Sequence, residues 1–276
     1  MDPTIPLVKL TGIHKRFGAV HSLRGVDLDV MPGETFGLLG DNAAGKSTLM
    51  KVLTGVYQPD AGTIELDGVE RTFPTPASSR NAGIEMIYQD FALSDNLDVR
   101  ANIFLGREPR RRILGPFLQV VDTKATERET KRVLEMLDIE INPRLKVHRL
   151  SGGQRQAVAI GRALAFDARL VIMDEPTANL SVAKVDKLIE VTARLKKLGI
   201  AVIIITHRLD EAFAVADRIA VMRQGSVVGR FAAGDVTETQ VAHLISHGAL
   251  PEQDGAQPDG SKRRLFGSTI QPAGDR

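Results

Sequence analysis

A glycine-rich segment at residues 40–48 constrains the fold of this chain more than any other feature. It reads Gly-Asp-Asn-Ala-Ala-Gly-Lys-Ser-Thr and matches the phosphate-binding pattern Gly-x-x-x-x-Gly-Lys-[Ser/Thr]. The segment follows an apolar run, residues 35–39, that is typical of a buried strand, and it opens a predicted helix. A purely structural turn rarely has this strand–loop–helix context, so the pattern predicts an α/β core with a phosphate site.

The residues of this loop are predicted to act together on a bound phosphate chain. Backbone N–H groups of the loop and of the helix N-terminus point at phosphate oxygens. Lys46 supplies a cation to the terminal phosphates, and the Ser47 hydroxyl is a candidate ligand for Mg²⁺. The predicted nucleotide-binding residues here are Gly40, Asp41, Asn42, Ala43, Ala44, Gly45, Lys46, Ser47 and Thr48.

Two adjacent carboxylates, Asp174 and Glu175, end another apolar run at residues 170–173. Successive strand residues point to opposite sides, so the two acids are expected to have different roles. Asp174 is predicted to hold Mg²⁺, and Glu175 to act as the general base for an attacking water. An apolar run that ends in Asp-Glu is common by itself, and the functional interpretation depends on the phosphate loop.

Composition limits the classes of function. The chain has 276 residues, 43% of them hydrophobic, which suits a globular core, and its lack of cysteine rules out disulfides and thiolate metal sites. A formal net charge of +2 gives no reason to expect a nucleic-acid partner. The run Arg110, Arg111 and Arg112 is interpreted as a solvated loop, with contact to anionic lipid headgroups as the alternative. The sequence predicts neither a signal peptide nor a membrane-spanning segment, so any role at a membrane would depend on a partner protein.

The pattern along the chain predicts strands that alternate with helices around a largely parallel sheet. Residues 106–116 are a polar, Arg-rich interruption in a helical region that is predicted to be inserted into the α/β core. The tail from about residue 251 has a composition typical of a disordered segment. Predicted strands are residues 7–13, 23–30, 35–39, 63–66, 84–88, 170–173, 201–205, 219–222 and 227–230, and predicted helices include residues 122–137, 151–165, 182–198 and 209–215.

Residues 150–156 read Leu-Ser-Gly-Gly-Gln-Arg-Gln and identify the class. Ser151 lies where a helix N-cap belongs, and Gly152 and Gly153 expose N–H groups that favour an anion. With the phosphate loop before it and the Asp-Glu strand end after it, this sequence resembles the signature of the ATP-binding cassette ATPases. The likeness extends over about residues 7–246, and it adds Gln154 to the expected nucleotide contacts.

The resemblance implies a complete architecture. It implies an α/β phosphate-loop NTPase core, with an N-terminal antiparallel β subdomain and an inserted α-helical subdomain at about residues 90–165. Residues 1–250 would form the ATPase domain, and residues 251–276 a tail. It also implies a head-to-tail dimer, in which the phosphate loop of one copy and the signature of the other enclose each ATP.

Three further residues match the family's order of motifs. Phe17 matches the aromatic that stacks on adenine, with a core Phe as the alternative. Gln89 matches the glutamine that meets Mg²⁺ and the attacking water, and His207 matches the histidine that contacts the γ-phosphate. Gln89 and His207 complete the expected catalytic set with Lys46 and Glu175.

Two positions depart from the family pattern. Ala43 stands where Gly is usual, and its Cβ restricts a backbone that must wrap the phosphates. Ser181 stands where a contact across the dimer is usually made by Asp. These departures keep open the possibility of a weakened nucleotide-binding module, although the retained Lys46, Asp174, Glu175 and His207 favour activity.

The local sequences of four segments are similar to those of monosaccharide importers of the ribose, galactose and fructose type. These segments are residues 88–97, 102–108, 174–181 and 207–213. The resemblance implies a single-cassette subunit that pairs with itself below membrane permease subunits, on the cytoplasmic face of the membrane. An extracytoplasmic sugar-binding protein would deliver the substrate. A soluble cassette that acts on ribosomes or DNA is a further alternative, less favoured because one cassette without long coiled coils is present.

Overall fold

The computed structural model describes residues 4–88, 91–114, 118–176 and 185–250. In these residues, strands form a four-stranded sheet, a six-stranded sheet and a two-stranded hairpin. The predicted residues Gln89 and Ser181 and the predicted tail lie outside the described residues, as does the start of the helix predicted at residue 182. None of the described helices combines the length and apolar character that a bilayer crossing needs.

The four-stranded sheet is antiparallel, in the order β2-β1-β4-β5. Its strands are β1 (Val8–Phe17), β2 (Val20–Val30), β4 (Ala61–Leu66) and β5 (Val69–Glu70). Residues with buried side chains alternate with exposed ones along β1, as expected for a sheet with one face on the core.

The six-stranded sheet has the order β12-β11-β3-β10-β9-β6, and its strands are parallel except for β12 at one edge. These strands are β3 (Thr35–Leu39), β6 (Ile84–Ile87), β9 (Leu170–Asp174), β10 (Ala201–Thr206), β11 (Arg218–Arg223) and β12 (Ser226–Ala232). All residues of β3 and β10 are buried, because strands covered on both faces are apolar throughout. The parallel arrangement brings the carboxyl ends of β3, β9 and β10 to one edge.

Helices cover the parallel sheet and build the middle region. They are α1 (Lys46–Leu53), α2 (Pro76–Asn81), α3 (Val99–Ile103), α4 (Thr123–Met136), α5 (Gly152–Leu164), α6 (Val185–Lys197), α7 (Leu209–Val215) and α8 (Glu238–His247). Polar side chains cap several of them; Asp122, for example, accepts a hydrogen bond from Ala125 N at 3.0 Å. The expected α/β core with an N-terminal antiparallel sheet is confirmed.

The central strands divide the core in two. Ile203 and Ile205 of β10 pack with the antiparallel sheet and α1, whereas Val202 and Ile204 pack with α5 and α6 on the other side. This alternation follows from the two-residue period of a strand. A third apolar cluster joins α3, α4 and α5 in the middle region.

The prediction for the arginine run was wrong in its secondary structure. Arg110, Arg111 and Arg112 lie on a strand, β7 (Arg110–Leu114), which pairs with β8 (Leu118–Val121) in an antiparallel hairpin. All three side chains are exposed, as expected. The run contains no apolar residue, and backbone pairing to β8 rather than burial of a face makes it a strand.

Candidate nucleotide-binding site

The phosphate loop connects β3 to α1 through backbone conformations that glycine favours. Gly40 has φ 149°, and a Cβ there would lie 2.3 Å from Met222 O. Gly45 has φ 104° and precedes the first residue of α1; its Cβ would lie 2.9 Å from Ser22 O. Both glycines of the motif therefore allow a close approach between backbones. Ala43 also has a left-handed backbone, φ 65°, which costs an L-residue with a Cβ roughly 1–2 kcal/mol.

Lys46 is the cation of this loop. It is 5% exposed, and its Nζ donates to Gly40 O at 2.7 Å and Asp41 O at 2.9 Å. Burial lowers the pKa of Lys46, while the charges of Glu175, Asp174 and Asp41 act in the opposite direction. The ammonium thus lies among backbone carbonyls, and phosphate oxygens can replace these acceptors.

The turn between β11 and β12 braces the phosphate loop. Gly225 N donates to Ala44 O at 2.9 Å, and Gly225 O accepts from Arg24 N at 2.8 Å. One residue of the turn thus joins the loop to β2. The sequence analysis did not select Gly225, because a contact with residues so distant in sequence leaves no local pattern.

An open cleft of about 710 Å³ lies over the loop. The phosphate loop, Asp174 and Glu175, all predicted site residues, contribute to its walls. The structure adds residues that the sequence analysis did not select; among them, Ser22 holds the loop, since its Oγ lies 3.0 Å from Thr48 Oγ1. The lining residues are Val20, His21, Ser22, Arg24, Asn42, Ala43, Ala44, Gly45, Lys46, Ser47, Thr48, Asp174, Glu175, Gln224 and Gly225.

Asp174 and Glu175 enter the cleft from the end of β9, but not for the reason expected. Asp174 is the last strand residue, whereas Glu175 lies beyond the strand with φ 47°. The two carboxylates therefore differ in direction through a left-handed turn rather than through strand alternation. Glu175 N donates to Ile205 O at 2.8 Å, which fixes this turn against β10. Burial, and next the charge of Glu175, raise the pKa of Asp174, which Lys46 and Lys51 partly offset.

His207 follows β10 and meets Glu175. Its Nδ1 lies 3.1 Å from Glu175 Oε1, and its side chain is 51% exposed. The structure therefore joins two predicted catalytic residues from different strands. Because β9 and β10 are neighbours in the parallel sheet, their carboxyl ends place both side chains at one edge.

The donors at this edge fit Mg²⁺. Ser47 and Asp174 both line the cleft and offer a hydroxyl and a carboxylate oxygen, the ligands that Mg²⁺ prefers. In the described part of the chain, no group of three or more His, Cys, Asp or Glu side chains could hold a metal by itself. This suits an ion that takes its remaining ligands from water and substrate phosphates.

Ser151 caps α5 with a reciprocal pair of hydrogen bonds. Its Oγ accepts from Gln154 N at 3.3 Å, and Gln154 Oε1 accepts from Ser151 N at 3.0 Å. A Cβ on Gly153 would meet nothing within 4 Å, so the backbone here is open. None of Ser151, Gly152, Gly153 and Gln154 is among the residues that line the cleft. The structure thus does not bring the signature to the chain's own phosphate loop.

Phe17 is not among the residues that line the cleft. It is 41% exposed and packs edge-on against Tyr57, with ring centroids 5.0 Å apart. Phe17 pairs with Val20 across the β1–β2 turn, and Val20 lines the cleft. A ring with this exposure differs from the core Phe that was the alternative.

Comparison with protein families gives one match. A model described as "ABC transporter" matches residues 23–178, which is more than half of the chain. Two solved structures have the same fold. One is a nucleotide-free ATP-binding cassette from an ABC transporter, with TM-score 0.73, 27% identity and coverage of 88% of this chain and 96% of that one. The other is a dimeric post-hydrolysis state of an ATP-binding cassette bound to ADP and Pi, with TM-score 0.66, 25% identity and coverage of 82% and 98%.

Curated relatives are ATP-binding proteins of sugar importers. A xylose/arabinose import ATP-binding protein of Sulfolobus acidocaldarius is 41% identical over 245 residues, which are 88% of this chain and 95% of that protein. A ribose import ATP-binding protein of Rubrobacter xylanophilus is 43% identical over 248 residues, which are 90% of this chain and 48% of that protein. The chain thus spans about half the length of the ribose relatives that it matches.

Proposed function

Since the chain belongs to the ABC transporter family of ATP-binding proteins, we propose that it binds and hydrolyses ATP to power sugar import through a separate membrane permease. The observation that carries the hydrolytic part is the edge where three strands end. There the Lys46 loop, Asp174 and the Glu175–His207 pair lie together around one cleft. Similarity to ribose and xylose/arabinose import proteins supports a monosaccharide as the transported solute.

The loop residues 40–48 bind the phosphates through their N–H groups and the Lys46 ammonium. Phe17 stacks on the adenine. Ser47, Asp174 and Gln89 would hold Mg²⁺, which would neutralise charge on the phosphate oxygens. The raised pKa of Asp174 is consistent with this role, because a bound cation restores the charged form that burial disfavours.

Glu175 acts as the general base, with His207 beside it. The Glu175 carboxylate takes a proton from a water molecule while the oxygen of that water bonds to the γ-phosphorus. The bond between that phosphorus and the bridging oxygen of ADP breaks, which leaves ADP and phosphate. Lys46 stabilises the negative charge that develops on the phosphoryl oxygens. His207 orients the base and contacts the γ-phosphate.

A second copy of the chain completes the site. Ser151, Gly152, Gly153 and Gln154 form a helix start that favours an anion, yet they lie away from their own cleft. A head-to-tail dimer places them over the ATP of the partner copy. Closure then drives a membrane permease that receives sugar from an extracytoplasmic binding protein, and the subunit works at the cytoplasmic face of the membrane.

The test of the hydrolytic proposal is ATP turnover by the purified protein and by Glu175→Gln. Loss of the base is expected to lower turnover by roughly 10²- to 10⁴-fold. Glu135→Gln is the matched control, because Glu135 is an exposed glutamate on α4. Turnover of Glu175→Gln equal to that of the control would reject Glu175 as the base. Co-purification with a permease tests the transport assignment separately.

A further inference from the structure

We propose that Asp60 is a positioning residue for the nucleotide base, because it holds the segment that carries Phe17 in the orientation needed for stacking. This inference rests on the proposed function, in which Phe17 contacts the adenine. Asp60 belongs to the turn before β4 and does not line the phosphate cleft. Its role would therefore concern the base of the nucleotide and not the phosphates.

Asp60 makes three polar contacts to the segment before Phe17. Its Oδ1 accepts from Lys15 Nζ at 2.7 Å, and its Oδ2 accepts from Arg16 N at 2.6 Å. Asp60 N donates to His14 O at 2.9 Å. One side chain and its own backbone thus fix three consecutive residues at the end of β1, immediately before the aromatic ring.

The position of Asp60 is itself fixed by a close approach of β4 to β1. Gly62 has φ 95°, and a Cβ there would lie 2.3 Å from Gly12 O. The β1–β4 pairing shifts register between Thr11 and His14 and resumes at the pair His14–Ala61. Since this irregularity ends next to Asp60, the carboxylate reaches past the strand end to Lys15 and Arg16.

Lys15 connects the carboxylate to the ring as well as to the backbone. Its side chain is only 15% exposed, and its Nζ lies 5.6 Å from the centroid of the Phe17 ring. The hydrogen bonds from Lys15 and Arg16 N hold the pKa of Asp60 below its ordinary value, so the carboxylate is charged at neutral pH. An ionised Asp60 therefore keeps the ammonium next to the ring, within the range of a cation–π contact.

A second support for Phe17 comes from the same stretch of chain. The Tyr57 ring packs edge-on against Phe17, and Lys51 O accepts hydrogen bonds from Val56 N at 2.8 Å and Tyr57 N at 3.0 Å. Lys51 is in α1, the helix whose N-terminus faces the phosphates. Residues 46–60 thus connect the phosphate end of the site to the base end through short contacts.

The arrangement predicts a specific pattern of lost affinity. Asp60 touches the segment at the base end and nothing in the phosphate loop, so its removal should weaken binding of the base and leave binding of the phosphates unchanged. A general loss of stability would weaken both. The affinity for Mg·ADP relative to Mg·pyrophosphate separates these effects, because pyrophosphate has two phosphates and no base.

We would measure both affinities by isothermal titration calorimetry for the full chain, Asp60→Ala, Asp60→Asn, Phe17→Ala and Glu65→Gln. Asp60→Ala is expected to lower ADP affinity by about three- to tenfold, part of the contribution of one base–aromatic stack, with pyrophosphate affinity unchanged. Asp60→Asn keeps an acceptor for Arg16 N and should lose less. Glu65→Gln removes the charge from a longer ion pair with Lys9 in the same sheet, 3.5 Å, and should lose nothing.

An ADP-to-pyrophosphate ratio in Asp60→Ala equal to that of the unmodified chain would overturn the proposal. If Asp60→Ala does not fold, Asp60→Asn decides in the same way, because it is nearly isosteric. A different result would locate the failure in the proposed function instead. If Phe17→Ala leaves the ratio unchanged, the ring is not the base platform, and Asp60 has nothing to position.

Discussion

Asp174 is a residue whose charged form is disfavoured by its surroundings in the protein. Asp174 is half-buried beside Glu175, and burial together with that neighbouring charge raises the pKa of its carboxyl. A carboxyl group with a raised folded-state pKa binds more protons in the native state than in the unfolded state between the two pKa values. Its ionisation therefore lowers the free energy of unfolding as the pH rises through that interval.

Asp174→Asn removes this cost, so we expect the nucleotide-free variant to be more stable than the unmodified chain at pH 7. A gain of a few degrees in Tm corresponds to about 1 kcal/mol in a chain of this size. The gain should shrink as the pH falls towards 3.8, the ordinary pKa of Asp, and disappear below that pH, because the carboxyl is then neutral in both states. Thermal unfolding at pH 3 and pH 7 measures it, with the exposed Asp235→Asn as control. A Tm difference that does not change with pH would contradict this account.

Single-residue roles were the easiest part of the site to predict and the easiest to explain wrongly. Lys46, Asp174 and Glu175 belong to local motifs, and the structure brings all three to one cleft. The separation of the two carboxylates was attributed to strand alternation, although Glu175 is beyond the strand with φ 47°. Asp60 was not selected from the sequence, because its partners Lys15 and Arg16 are far from it along the chain.

At the scale of elements, the β11–β12 turn supports the phosphate loop. Gly225 joins Ala44 of the loop to Arg24 of β2 through its own N–H and C=O groups. A Cβ at residue 225 would lie 2.6 Å from Ser22 O, and its φ is 85°. Substitution would displace the turn and with it a backbone hydrogen bond to the loop.

Gly225→Ala is expected to lower ATP affinity by about tenfold, as the loss of one hydrogen bond near 1.4 kcal/mol implies. Gly199→Ala is the matched control, because Gly199 has φ 74° and a Cβ there would meet nothing within 4 Å. Both variants should lose stability through backbone strain of about 1 kcal/mol. Titration of each variant with Mg·ATP separates this loss of stability from the loss of the hydrogen bond between Gly225 and the loop. Equal affinities of the two variants would show that the turn does not support the loop.

Elements with an apolar face were predicted well, and those without one were not. The buried runs of β3, β9 and β10 are visible in the sequence because both faces of these strands meet the core. The arginine run of β7 was predicted as a loop, since its three arginines carry no apolar alternation, and β8 fell in a region that was predicted to be helical. Its strands are defined by backbone pairing, which residue type records only weakly.

At the scale of the whole molecule, the feature with the largest consequence is that the N-termini of α1 and α5 do not share one cleft. The N-terminus of α1 faces the cleft, whereas the capped start of α5 lies outside it. Similarity to a dimeric cassette bound to ADP and Pi supports the proposal that a second copy closes over the nucleotide. ATP would then be part of the interface that it stabilises.

Glu175→Gln protein is expected to change from monomer to dimer when Mg·ATP is added, because ATP is bound but not consumed. Light scattering after size-exclusion chromatography measures the mass. Adding Gly153→Asp supplies the control, since a Cβ there has open space and the new carboxylate repels the partner's phosphates. We expect this double variant to bind ATP and remain a monomer. A monomer of Glu175→Gln with ATP bound would reject self-pairing.

The pairing of β3 with β10 also has a kinetic meaning. Leu39, next to the phosphate loop, pairs with Thr206, next to His207, so the two sides of the site come from opposite halves of the chain. Pairings between such distant segments form late in folding, because the chain entropy lost in closing a long loop must be overcome first. A folding intermediate with local helices and hairpins would therefore lack a complete site. Added nucleotide should then slow unfolding far more than it accelerates refolding, which makes the ligand a reporter of the finished fold.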